Sequence, residues 1–587
     1  MNERRRPPSR ASTPGQEARS GARSRLGSGV LDWITALRDP YPLASERQAR
    51  KFVASLDRDL FVAFDQLETL LRRFRDDDER RSVRNFTALL ALDEASRPLY
   101  SRIEHDYLTA AEAGHSLRDR LWSVGYELAQ RFAEAYLTHF DGEARARTRS
   151  EPATFAAVSV RLLLHRTTAY RYRLYRHEEW VPAIWLDINA SFRAICDLGL
   201  EQLSVPLEEG RSTRAVAAFS ILQLLRLANA GAFTPSQTFA LWQRLTEFAH
   251  DARLTPRPTG EDGFYIDLSG HEGLRPRHQL SDGGQFLFLD TSAIFHRFNA
   301  WLDQLEREFR DAAQTPAREN RPAAALLALR SAVLRIDPRF KPLMRASVRT
   351  PHSGRLLTAL GIAASAATLT YDPRVIASAL DGTQSEDSRA ELRTMGQLTD
   401  SLLGRLPPDL PAEIARLDVG FWRLRDRSDL GYRVVVDQVD PNRFRLRDLA
   451  LVSEDPPNHG WQVAFIARLV KLPAGQVELG LQVISRDAET VELELLEPSR
   501  SRDDAPQAAL GKTFRALRLR SAFHAQPLLG TTWIVPLADF TQGTRYRLLA
   551  SGRQFETQQV LADGPTWVWI KPAEVSAPER LEARSQR

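Results

Sequence analysis

Cysteine is almost missing from this chain: Cys196 is the single one among 587 residues. That excludes an intramolecular disulfide framework and a cysteine-based zinc site. Cys196 sits in ASFRAICDLGL, a helix-like setting that suits a buried, inert thiol. Lysine is scarce as well, standing only at positions 51, 341, 471, 512 and 571. Arginine therefore carries nearly all the positive charge, which fits a GC-rich bacterial coding bias and also suits planar recognition of phosphate. The formal net charge is only +5, so the chain is no polycation. Long apolar runs are absent too. Uncharged stretches such as Leu356 to Tyr371 stay shorter than the ~20 residues a spanning helix needs. The opening MNERRRPPSR has no apolar segment of the kind a secretory leader carries. A soluble, cytoplasmic, bacterial protein is the expectation.

Chemical signatures are missing in the same way. PQAALGKT ends in Gly511-Lys512-Thr513, but Pro506 stands where a phosphate loop needs its first glycine. His271 and Glu272 lack the spacing of a zinc-binding His-Glu-x-x-His helix. No Gly-x-Ser-x-Gly elbow occurs. The expectation is a protein that is not an enzyme, with no metal and no cofactor.

What is present divides the chain. Residues 1–28 are rich in Arg, Pro and Ser and poor in apolar residues, which marks a disordered tail. Residues 29–338 follow a helical period. Phe52, Leu56, Leu60, Phe64, Leu67 and Leu71 recur three or four apart and form one stripe. Thr234 before Pro235 reads as a helix N-cap. TAYRYRLYRHEEW interleaves Tyr170, Tyr172 and Tyr175 with Arg171, Arg173 and Arg176. On a helix this puts Tyr172 and Tyr175 inward and the arginines outward, so nucleic acid is not an expected partner. GFYIDL and QFLFLD, near 263–290, read as a small hairpin. An unidentified protein partner is assigned to the helical domain.

Beyond residue 339 short strands dominate, bounded by turn residues, as in a small barrel or sandwich. A helical stretch at about 373–417 interrupts them. Residues 498–574 read as a β-rich extension and 575–587 as a tail. The fold class is thus α+β and multidomain: a helical bundle or array, then an antiparallel β-barrel with a helical insertion, then a β-rich extension.

One turn stands out. RLRDRSDLGYRVVV holds Asp426, Ser428 and Gly431 in the spacing Asp-x-Ser-x-x-Gly. MRASVR holds Arg345 and Arg349 just before the strand RLLTALGIA. With the strands LRDLALVSE, WQVAFIARLV and VELGLQVIS, this pattern resembles the PilZ-domain family, six-stranded bacterial barrels that include receptors for cyclic di-GMP. The long helical region ahead of it resembles an atypical branch of that family tied to surface attachment and type IV pilus function. The resemblance implies a barrel over 339–497 and a cyclic di-GMP site built from Arg345, Arg349, Asp426, Ser428 and Gly431. It implies arginines gripping phosphate or guanine, a carboxylate accepting guanine N–H groups, and a glycine permitting positive φ or close backbone approach. The insertion lengthens the gap between the two motif halves. Two readings stay open: a cyclic di-GMP receptor, or a ligand-free scaffold of the same fold.

Overall fold

The computed structural model describes residues 41–76, 83–110, 115–140, 151–179, 181–207, 211–229, 231–258, 263–280, 284–313, 329–330, 332–339, 350–374, 376–377, 380, 417–437, 440, 443–455, 460–472, 475–497, 511–521, 531–540 and 545–575. A helical region comes first and two closed antiparallel barrels follow.

The long apolar stripe of the first segment is split in two, α1 (Glu46–Ala54) and α2 (Leu60–Asp76). The break falls on Ser55 to Asp59, where short polar side chains compete with the helical backbone. Asp59 restarts the helix, its Oδ1 accepting from the amides of Phe61 at 2.9 Å and Val62 at 3.1 Å. Helices α3 (Val83–Ala95), α4 (Arg97–Thr109), α5 (His115–Leu137), α6 (Pro152–Tyr175), α7 (Pro182–Asp197), α8 (Ala215–Asn229) and α9 (Pro235–Phe248) follow. Thr234 caps α9 in a reciprocal capping box with Gln237.

Helix α6 is buried nearly all round rather than on one face. Tyr172 and Tyr175 do turn inward, and so does Arg171, against the expectation of outward arginines. A helix closed in by neighbours has no solvent face to give its charges. Arg171 therefore brings a partner: its guanidinium donates twice to Glu104, each bond 2.9 Å, and lies 3.6 Å from the Trp242 ring centroid. Cys196 is half-buried, and burial pushes its thiol up to about 12.

The hairpin expected near 263–290 is part of a larger sheet. A two-stranded ribbon, β1 (Val205–Pro206) and β2 (Ser212–Thr213), precedes it. The sheet itself has the order β3-β6-β4-β5, from β3 (Arg253–Thr255), β4 (Phe264–Asp267), β5 (Arg275–Pro276) and β6 (Phe286–Asp290). Helix α10 (Ser292–Ala313) then returns to the helical core.

The first barrel comprises β7 (Thr350–Leu360), β8 (Val419–Ser428), β9 (Gly431–Val436), β10 (Leu449–Asp455), β11 (Gln462–Lys471) and β12 (Val477–Ser485), closed in the order β10-β11-β12-β9-β8-β7. Between its first and second strands lies α11 (Ile362–Thr368), which starts earlier than the helical stretch read at 373–417. Residues 381–416 of that stretch lie outside the described residues.

The β-rich extension is a barrel in its own right: β13 (Asp487–Glu497), β14 (Thr513–Ser521), β15 (Thr532–Pro536), β16 (Arg545–Leu548), β17 (Gln554–Asp563) and β18 (Trp567–Val575). The VELELL strand, grouped with the first barrel by its position in sequence, pairs instead with β14 and β16 of the second. Counting each barrel's strands from its own first strand, both have the cyclic order 1-2-3-6-5-4. The second barrel repeats the connectivity of the first.

The helical region meets the first barrel at the end of β11. The Leu469 amide donates to the Gly231 carbonyl at 3.1 Å, and the Lys471 amide to the His177 carbonyl at 2.8 Å. Gly231 has φ +74, and a Cβ there would stand 2.7 Å from the Leu469 carbonyl oxygen, so both its backbone shape and its surroundings require glycine. His177 holds a left-handed φ of 58. Burial, with Lys471 and Arg118 close by, lowers its imidazole to about 4.

Because the folded pKa lies below the usual ~6.5 of histidine, the neutral imidazole is the form that folding favours. Its contribution is complete above pH ~6.5 and is lost as pH falls toward about 4, by at most roughly 3 kcal/mol. His177→Asn, which tolerates the left-handed backbone and does not titrate, should flatten the stability profile in that window. Urea unfolding at pH 7, 5.5 and 4.5 reads the difference.

Candidate functional site

Strands β8 and β9 form a hairpin with Asp429 and Leu430 at its tip, and Ser428 pairs with Gly431 to close it. The Ser428 hydroxyl donates to the Gly431 carbonyl at 3.3 Å. The hairpin is anchored from β12: the Val483 amide donates to the Leu430 carbonyl at 3.0 Å, and Arg486 donates to the Asp429 carbonyl at 2.7 Å.

Gly431 is required by proximity rather than by dihedral. Its φ lies outside the left-handed region, but a Cβ would stand 2.1 Å from the Leu481 carbonyl oxygen on the neighbouring strand. The close approach here is that of the neighbouring strand β12.

A bulge decides where Asp426 points. Leu424 pairs with Val434, but Asp426 pairs with Arg433, which leaves Arg425 as the extra residue. Trp422 and Leu424 belong to the barrel interior with Tyr432 and Val434. The extra residue reverses the alternation, so Asp426 shares the outer face with Arg433. The two form an ion pair, Arg433 Nε to Asp426 Oδ2 at 2.6 Å, and Glu478 stands 3.8 Å from the same guanidinium. Asp426 is only 6% exposed.

Arg427 does not pair with its neighbour Asp426. It reaches Glu454 at 2.5 Å, next to Tyr432, whose phenol burial and Glu454 push up to about 12. Arg433, Glu454, Tyr432 and Arg486 were not singled out from the sequence. Only Arg433 had a local signal, two residues past Gly431 on the same strand face.

Asp426, Ser428 and Gly431 are thus brought together. Arg345 and Arg349 lie outside the described residues. Thr350, the next residue along the chain from Arg349, pairs with Arg427, and Pro351 pairs with Asp426. The strand that follows the arginine pair therefore begins beside the Asp426 turn.

Among the described residues no group of three metal-ligating side chains comes together, and no helix is long and apolar enough to cross a membrane.

Gly431→Ala should lower stability by about 1–3 kcal/mol through overpacking against Leu481, without changing the denaturant m-value. Gly460→Ala makes a fair control, since an added Cβ there meets nothing within 4 Å among the described residues.

Residues 30–259 match the family model described as the N-terminal domain of the cyclic-di-GMP receptor FimW. The match falls on the helical region and ends within the small sheet, ahead of both barrels. No curated protein and no solved structure matches the chain.

Proposed function

We propose that this protein is a cyclic di-GMP receptor of PilZ type, a binding and signalling protein rather than an enzyme. The first barrel holds the dinucleotide at the Asp426 turn. The observation that carries this is the register of β7 against β8, in which Thr350 and Pro351 face Arg427 and Asp426. A ligand at the turn then lies within reach of the chain that carries Arg345 and Arg349. The FimW match over the helical region supports the same ligand from an independent part of the chain.

The chemistry follows from the residue types. Guanidinium groups grip phosphate oxygens in pairs, or bond guanine O6 and N7 while stacking on the ring. The Asp426 carboxylate accepts guanine N–H donors, in exchange for part of its pairing with Arg433. The glycine lets β9 lie close against Leu481 of β12, which holds the hairpin in place. The helical region, joined to the far end of β11, carries the effect of binding to a protein partner. An output in surface attachment or type IV pilus function belongs to this reading.

A second reading has its own observation. Asp426 is buried and already neutralised by Arg433, which is also what a barrel that serves only as a scaffold would show.

Calorimetry on the purified chain separates the two. The receptor gives saturable heat with micromolar cyclic di-GMP. Arg349→Ala and Asp426→Ala should each weaken binding at least tenfold, a loss of about 1.4 kcal/mol or more. Affinity that is absent in the parent chain, or unchanged in both variants, leaves the scaffold.

A further inference from the structure

The two barrels do not merely follow one another. They enclose a cleft of about 760 Å³, within the range of small-molecule sites. Its first wall comes from the first barrel: Ala367 of α11, then Thr370 and Tyr371. Its second wall comes from β13, β14 and the turn after β16.

The second wall is arginine-rich. Arg515, Arg518 and Arg520 of β14 all line the cleft, and among the described residues Glu489 and Glu492 of β13 line it beside them. Glu489 serves two guanidiniums, Arg518 at 3.0 Å and Arg520 at 2.5 Å. Arg515 stands 4.0 Å from Glu492. Glu489 is thus shared between two cations. All three arginines are at least a third exposed, so these ion pairs are each worth no more than about 1 kcal/mol and exchange readily. A phosphate group bonded by two guanidinium forks is a stronger partner than one shared carboxylate.

The rest of the cleft is apolar, with Ala367, Val491, Leu548, Leu549 and Ala550 beside the Tyr371 side chain. The first wall is fixed in place. Thr490 donates to the Ala366 carbonyl at 2.7 Å, and Trp461 to the Tyr371 carbonyl at 2.7 Å. Preformed walls lower the entropy lost on binding. One cationic side and one apolar side describe a ligand with both a phosphate and a flat, weakly polar body.

We propose that this inter-barrel cleft is a second ligand site, separate from the Asp426 turn, and that it takes a nucleoside phosphate. The phosphates lie on Arg518 and Arg520 and displace Glu489, and the base rests against Tyr371 and Leu549. Both barrels supply walls, so occupancy ties their relative positions to the nucleotide.

Titration calorimetry of the full chain with ATP, pyrophosphate and adenosine tests this. ATP should bind, with pyrophosphate and adenosine each at least tenfold weaker. The Arg518→Ala/Arg520→Ala double variant should lose ATP affinity at least tenfold while its response to cyclic di-GMP stays as in the parent. Glu489→Gln, which removes the competing charge but keeps the strand, should tighten ATP several-fold and guards against a result caused by misfolding. No heat with any probe, an unchanged double variant, or weaker ATP binding in Glu489→Gln would each overturn the site. Pyrophosphate binding as tightly as ATP would overturn the nucleoside part.

Discussion

The seam between the barrels is what the C-terminal half depends on. Strand alternation gives each barrel two apolar surfaces, one inside and one on part of its outer wall. In the first barrel, Leu357, Leu451, Val463 and Ile484 are buried on the outside, against α11 and against Leu517, Ile534, Trp567 and Trp569 of the second. Neither barrel can shed this face without exposing a large apolar patch. Polar bonds fix the register of the seam, among them Trp567 donating to the Arg447 carbonyl at 2.7 Å. The hydrophobic term sets the strength and these bonds set the alignment.

Charge is handled differently on the two sides of the molecule. In the helical region some ionic groups are internal and paired. Asp93, buried with His165 at 2.9 Å and Tyr136 at 3.0 Å, stays below the usual carboxylate range: burial pushes it up, but His165 and Arg161 together pull it down further. Such groups are expensive to expose and suit a rigid frame. On the barrels the arginines lie along outer faces and rims in half-exposed ladders, where partners exchange at little cost. That contrast leaves exchangeable charge on the barrels and rigid buried pairs in the helical core.

Much of this was legible in the residue pattern. The helical period of the described residues up to Phe248, the Thr234 cap and the hairpin spacing at Asp426 are local signals, and they hold. What escaped the sequence is non-local. Nothing inside VELELL says which sheet it joins, because strand pairing is settled by partners far along the chain. Strand β17 (QFETQQVLAD) is half-exposed and polar, so it hardly advertises a second barrel. The outward turn of Asp426 rests on one extra residue, Arg425, whose effect depends on register with β9. Arg171 turned inward because α6 has neighbours on every side, and its own periodicity does not report them.

The helical region grips the first barrel at Lys471 and Leu469, while the Asp426 turn sits at the opposite end, where Gly431 pairs with Gln482. Strands β9 and β12 span the distance, about 20 Å at ~3.3 Å per residue. Hydrogen-bonded strands resist stretching but yield to twist. A barrel gripped at one rim is therefore a torsion element: a load at the other rim, where the proposed ligand would sit, would leave the helical end as a rotation whose sense follows the hand of the sheet.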